Sequence, residues 1–190
     1  KGIKDSEKIF VMSSGSLDGG DKRQINFCRP LAEVILQSSP NIECGGVLNF
    51  TGAGSISLSK DDGSSRQDFS INLTSVSETA LKAAGFEAVA GSLDDVTLRN
   101  TFAVSETVAE KFGLEVGMQV FSDDDYPCSI VAIYKDMPDN SHFKYVEAVH
   151  NIMDSGIDNY SEWGYQYLVK VYDPGQVDQM EKSFEGTVRD

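Results

Sequence analysis

No stretch of this 190-residue chain approaches the ~18 consecutive apolar residues that a membrane-spanning helix needs, and none has the apolar centre of a signal peptide. No segment of it is therefore predicted to cross a bilayer as a helix. Basic residues are also scarce, with 16 Lys and Arg against 30 Asp and Glu, a formal net charge of -14. That balance argues against a nucleic-acid surface, where Lys and Arg must release counterions, and against anionic lipid headgroups. The acidity is read as keeping the domain soluble. There are three cysteines, Cys28, Cys44 and Cys128, which cannot all pair within one chain and show no CxxC spacing. Cys44 and Cys128 fall in predicted strands and are expected as buried thiols; whether any two of the three form a disulfide stays open.

Catalytic and metal-binding patterns are equally sparse. His142 and His150 are the only histidines, stand eight apart and belong to no HExxH, which leaves a histidine metal site without support. His142 is expected to end the Asn140-Ser141 turn and hydrogen-bond locally. No Gly-Lys-Ser/Thr follows the glycines at Gly45-Gly46 and Gly52-Ala53-Gly54, so these are read as strand bends rather than a phosphate cradle. Gly15-Ser16-Leu17-Asp18-Gly19 lacks the spacing of a nucleophile elbow and is read as loop. Asp123-Asp124-Asp125 lacks the alternating ligands and central glycine of a calcium loop and reads as a solvated hairpin tip. No nucleophile, base and orienting third group are nominated together. The expectation is a protein that is not an enzyme, with no catalytic, cofactor-binding or metal residues and no cofactor.

What the sequence does carry is an ordinary folded composition, 40% hydrophobic and 24% charged, long enough for one sizeable core or two small subdomains. Ile9 to Met12 reads as a first strand, followed by the exposed loop SSGSLDGGDKRQ. Pro30 suits a first helical turn, Leu31, Val34 and Ile35 repeat at helical spacing, and Pro40 ends the segment. Residues 45–59 predict two strands or one bent strand; Asp61-Asp62-Gly63 predicts a hairpin turn, with Phe69, Ile71 and Leu73 alternating on the return. Ser77 to Gly85 predicts a short helix and Phe86 to Ala90 a strand.

The stretch from Phe102 to His142 is the most informative. Phe102 to Val104 is apolar, Ser105 is placed to cap a helix starting at Glu106, and Gly113 to stop it. Val120 and Phe121 lead to a polar tip at Ser122 to Asp125. Ile130 to Tyr134 is apolar on both parities, which predicts a central strand with Ile130 and Ala132 on one face and Val131 and Ile133 on the other. Residues 143–150 fit strand and helix equally. Trp163 to Val171 predicts a strand with Tyr165, Tyr167, Val169 and Val171 on one face, and Val177, Met180 and Phe184 lie at the spacing of a last amphipathic helix.

In this order, V-S-E-T-x-A-x-K-F, a G-x-x-V-G turn, a hairpin, I-V-A-I-Y-K-D-x-P and N-S-H-F resemble the MacB-like periplasmic core domain of FtsX-type ABC transporter permeases. Pro30-Leu31-Ala32-Glu33, Ser39-Pro40-Asn41-Ile42-Glu43, SETALKAAGFEAVAG from Ser77 and WGYQYLVKVYD from Trp163 fit the same pattern, so the resemblance runs from about Ile9 to about Phe184. It implies an α+β fold, with a β-α-β porter-like subdomain from residues 1–73 and 143–190 and an inserted, strand-rich Sabre-like subdomain from residues 74–142. It implies a domain on the periplasmic side of the inner membrane, anchored by flanking transmembrane helices, that relays ATP-driven conformational change to substrate export or to a periplasmic partner. The implied partners are an ATPase subunit or domain, a second permease copy forming a dimer, and a periplasmic adaptor or exported substrate, with no nucleic acid.

The loop from Ser16 to Arg23 and the acidic Asp123 to Asp125 tip depart from better-known members, which leaves the partner, the substrate and the ATPase unidentified. A start on Lys1 fits a cleaved secreted protein and an excised domain alike; only the resemblance favours excision. The alternative expectation is a secreted module binding sugar or peptide on an aromatic platform between Tyr160 and Tyr172, against which stands the expectation that Trp163, Tyr165 and Tyr167 face the core. Hydrophobic spans flanking the chain in its gene would favour the permease, and a cleavable signal alone the module. The permease arrangement also implies that both ends of the domain leave through one face.

Overall fold

A computed structural model describes residues 3–14, 23–50, 53–61 and 65–187, without the side chains of residues 183 and 185–187. In chain order its elements are β1 (Ile9–Val11), β2 (Asn26–Phe27), α1 (Arg29–Gln37), β3 (Ile42–Val47), β4 (Gly54–Asp61), β5 (Arg66–Val76), α2 (Glu78–Ala84), β6 (Ala88–Gly91), β7 (Thr101–Ser105), α3 (Glu106–Phe112), β8 (Gln119–Ser122), β9 (Pro127–Tyr134), β10 (Ala148–Asn151), β11 (Tyr165–Val171) and α4 (Val177–Thr187). The fold is α+β. Of the sequence-stretches read above, the hairpin turn after Asp61 and the loop from Ser16 as far as Asp21-Lys22 lie outside the described residues.

The smaller sheet is built on β11. Lys170 to Leu168 pair antiparallel with β1, Gln166 and Tyr165 with β2, and β3 runs antiparallel along the other edge from Tyr167↔Val47 to Val171↔Ile42. Alternation along β11 sorts its side chains. Tyr165 and Tyr167 pack with Phe27, Ala32 and Val47, and Val169 and Val171 pack with Met180 of α4, while Leu168 packs with Leu48 and the alanines of α2. Helices thus cover both faces. Gly45 and Gly46 stand within β3 where those helices press closest: a Cβ on Gly46 would lie 2.1 Å from Ser77 Oγ, and one on Gly45 2.6 Å from Leu36 Cδ2. They are close-approach positions, not the bend expected from the sequence.

The larger sheet has the order β6-β9-β7-β10-β5-β4-β8, and β8 pairs back onto β9. Six of its strands therefore form a closed ring of hydrogen-bonded neighbours, with β6 added beside β8 on β9. The closure is partial along the strands: β10 covers β5 from Leu73 to Val76, and β8 covers β4 at Leu58 and Ser59. Strand β9 carries three partners, with Ile130, Ala132 and Tyr134 fully buried and Val131 and Ile133 partly so. A register shift between Phe102 and Ala103 puts Ile130 in the core inside the ring and Ala132 in the core shared with α2. Both parities are apolar because β9 has a core on each face, and the bulge separates Ile130 from Ala132, which were expected to share one.

Helix α3 is held at both ends by side chains. Ser105 accepts from Val108 N (3.3 Å), and Asp136 accepts from both the amide and the hydroxyl of Thr107. At the other end Gly113 is left-handed (φ 59°) and Lys60 donates to the Phe112 carbonyl. An anion at the start and a cation at the end both oppose the helix dipole. Residues 142–145 form a turn and only Ala148–Asn151 is strand, which resolves the ambiguous stretch.

Strand pairing also groups elements across the expected subdomain ranges. β4, β5 and β10 lie in the outer ranges yet hydrogen-bond with strands of the middle segment or with each other. The two sheets are joined where β3 leaves one and β5 ends the other. Ser77 donates its amide to Val47 O (2.9 Å) and accepts Val47 N on its hydroxyl (3.0 Å), beside a Leu48↔Val76 bridge.

Candidate functional site

Four places gather polar or exposed aromatic groups. The first is the tip between β8 and β9, beside a cavity of about 470 Å³ lined by Ser57, Ser59, Arg66, Asp68, Asp123 and Asp125. Arg66 bonds Asp125 at 2.6 Å and donates its Nε to Ser59 Oγ at 2.6 Å. A guanidinium thus occupies the place that a cation would need, and the three consecutive aspartates do not converge. Among the described residues no group of three or more His, Cys, Asp or Glu is arranged to hold a metal.

The histidines have separate settings. His142 is exposed on the loop beside a cleft of about 190 Å³ lined by Ile3, Ile9, Val11, Phe143 and Leu168. His150 lies in β10 with its Nε2 2.8 Å from Ser75 Oγ and its ring edge-on to Phe102. Burial, and then the charge of Arg99, pull its pKa below the ordinary value. The Ser75-His150 pair arises from the parallel β5–β10 register, in which the two residues face each other. Its imidazole meets the backbone of Arg99 rather than a carboxylate, so the pair ties two strands together without forming a triad.

Each cysteine is a free thiol: Cys28 and Cys128 are buried, and Cys44 is partly so. Burial raises the thiol pKa of Cys128, and burial followed by the charge of Glu43 raises that of Cys44.

The last place is the base of α1, which sequence reasoning missed. The expected face was Leu31, Val34 and Ile35, but Val34 is exposed and the helix buries Arg29, Ala32 and Ile35. Arg29 donates from Nη1 to the carbonyls of Met153 (2.6 Å) and Ser155 (2.8 Å), lies over the Tyr165 ring, and leaves its buried Nε unpartnered. Glu33 accepts from the Tyr167 hydroxyl (3.0 Å), and burial followed by the Glu33 charge raises that phenol's pKa.

Above Arg29, residues 153–164 form a loop fixed by its own side chains. Asn151 Oδ1 accepts from Met153 N (2.7 Å), Glu162 accepts from the Tyr165 hydroxyl (2.6 Å), and the Trp163 indole donates to Tyr160 O (2.9 Å). Gly156 is left-handed (φ 70°) and sits against the Tyr165 hydroxyl. The aromatic strand is therefore divided: Tyr165 and Tyr167 are in the core as expected, whereas Trp163, also expected there, is 46% exposed and Tyr160 68%. Trp163 precedes the strand, so the alternation of β11 does not govern it.

Searches against protein-family models and against curated proteins find no match for this chain. Solved structures do match. A domain of a protein assigned as a permease from Porphyromonas gingivalis superposes with a TM-score of 0.75 at 18% identity, covering 98% of this chain and 84% of that one. The periplasmic region of MacB from Actinobacillus actinomycetemcomitans gives 0.64 at 14% identity, covering 97% and 83%. The extracellular domain of the ABC-type transporter YknZ from Gram-positive bacteria gives 0.59 at 14%, covering 93% and 88%. The fold class is thus that of the extracytoplasmic domains of ABC-transporter permeases. Within it, the chain has the fold of a MacB-like periplasmic domain.

Proposed function

We propose that this chain is the extracytoplasmic domain of an ABC transporter permease, held at the periplasmic side of the inner membrane by flanking transmembrane helices. It relays conformational change driven by ATP hydrolysis to substrate export or to a periplasmic partner. The observation that carries this is the likeness of nearly the whole chain, 93% to 98% of it, to the periplasmic region of MacB, the extracellular domain of YknZ and a domain of a protein assigned as a permease. Its working partners are an ATPase subunit or domain, a second permease copy, and an adaptor or the exported substrate. In this reading it works without catalysis of its own, and the Ser75-His150 pair, whose imidazole faces the Arg99 backbone, serves to tie β5 to β10.

The architecture suits a relay. The first described strand, β1, and the last helix, α4, both attach to β11, and Asn41 fastens the crossing. Asn41 donates to Asp173 O (2.9 Å) and Met180 Sδ (3.0 Å) and accepts from Asp173 N (2.9 Å). Displacement entering at either end reaches one strand and passes through Ser77 into the closed ring, which moves as a rigid body because packed cores do not deform continuously. Spin labels at Asp124, one on each permease copy of the full-length transporter with its ATPase, should change separation between nucleotide-free and ATP-bound states. An unchanged separation would remove the relay.

A further inference from the structure

We infer that the loop of residues 153–164 is a docking surface for a cationic segment, rich in Lys or Arg, of a partner protein. The loop is built rather than slack: a 5%-exposed arginine is committed to two of its carbonyls, and Asn151, Glu162 and the Trp163 indole brace it. What this frame holds outward is apolar. Ile157, Tyr160 and Trp163 are 38%, 68% and 46% exposed within seven residues. Aromatic side chains held rigidly in water give large contact area at small entropic cost, the usual make-up of a binding surface.

Charge decides the occupant. Asp154 and Asp158 are exposed on the same loop, Glu162 adds a carboxylate that accepts from Tyr165 and Asn159, and no Lys or Arg occurs between Lys144 and Lys170. Arg29, which holds the loop from beneath, is buried. Aromatic faces beside carboxylates receive ammonium or guanidinium groups, by cation–π attraction and by ion pairing. An anionic membrane would be repelled by these acids, although Trp and Tyr otherwise suit lipid headgroups. A second copy would bring the same acids face to face, on a chain of net charge -14. A basic polypeptide segment meets both features.

This deepens the partner element of the permease reading and rests on it only for the setting, since the test needs neither ATPase nor nucleotide. Trp163 is the only tryptophan, so its fluorescence reports the loop alone. The purified chain is titrated with octa-arginine, with octa-glutamate as control, and binding is followed by Trp163 emission and by calorimetry. Octa-arginine should bind and alter the emission, weakening as salt is raised. Tyr160→Ala or Trp163→Ala should weaken calorimetric binding about tenfold, and Asp158→Asn several-fold, the range typical of interface anchors and of exposed charges. Circular dichroism confirms that each variant is folded, which is expected because these side chains are exposed.

Asp124→Asn, at the other sheet's hairpin, is the control for unspecific attraction to an acidic protein. Equal weakening by Asp124→Asn and Asp158→Asn would overturn the inference. So would absence of any emission change, an emission shift produced by anionic vesicles in place of the peptide, or one produced by raising the protein concentration alone. A relay that fails its nucleotide test would leave this binding result untouched.

Discussion

His150 shows how one side chain records the packing of three strands. It lies on β10 between β5 and β7, hydrogen-bonded to Ser75, with Phe102 against its ring. Burial is the larger cause of its depressed pKa and Arg99 the smaller. The unfolded chain takes up a proton as pH falls through about 6.5, the ordinary histidine value, while the folded chain does so only at lower pH. Below about pH 6.5 the unfolded state therefore binds more protons, and stability falls as pH falls. Urea unfolding at about pH 7.5 and about pH 5.5, either side of that value, should show a loss that His150→Gln makes smaller. An equal loss in the variant would place the titrating group elsewhere. None of this was legible in the sequence, because the Ser75-His150 partnership depends on a register between strands 75 residues apart. Arg29 was hidden for a related reason: a periodicity of apolar residues passes over a charge, yet this one is buried by its bonds to loop carbonyls 124 and 126 positions away.

Elements with local signals were the legible ones. Helix α3 runs from Glu106 to Phe112 between Ser105 and Gly113, as its capping residues predict, because each signal lies within a turn of its effect. Helix α2 ends at Gly85 for the same reason, although Ser77 caps no helical amide and spends its hydroxyl on Val47 of the other sheet. The four residues of β10 were not legible, since a strand packed between two neighbours and buried on both faces leaves no alternation to read. Gly45 and Gly46 were misread as a bend because what crowds them, Leu36 and Leu168 for one and Ser77 for the other, is distant in the chain. Gly91 ends β6 with φ at 70°, and a Cβ there would lie 2.1 Å from Val131 O, at the bulge of β9. Gly117 has φ at 89° with nothing within 4 Å of such a Cβ. The pair separates backbone strain from collision. Gly117→Ala should cost about 1 to 2 kcal/mol from the left-handed backbone alone. Gly91→Ala adds a clash with backbone that cannot rotate away and should cost about 3 kcal/mol or more. Equal shifts of the two denaturation midpoints would mean that β6 moves freely off β9.

At the scale of the molecule, the ordered set of motifs spread over nearly the whole chain pointed to the fold, while the sheet membership of individual strands did not follow from it. Closure of the larger sheet needs β8 to reach both β4 and β9, a contact between segments some 60 residues apart that no local pattern announces. The smaller sheet makes a sharper claim about the chain ends. Ile9 pairs with Lys170, and α4 begins at Val177, seven residues later, with Asp173 tied to Asn41 between them. The chain covers at most about 3.5 Å per residue, and Lys4 precedes Ile9 by five residues, partly in a helical turn. Lys4 is thus at most about 18 Å from Ile9, and Phe10 of β1 and Val177 of α4 pack on the same apolar cluster of Val169, Val171 and Met180, so Lys4 and Asp178 should lie closer together than the roughly 40 Å width of a domain of this length. Spin labels at these two positions measure this directly. A separation spanning the whole domain would break the attachment of β1 and α4 to β11. It would also remove the physical basis of the relay, because displacements applied at two distant anchors would bend the body between them instead of moving it as one piece.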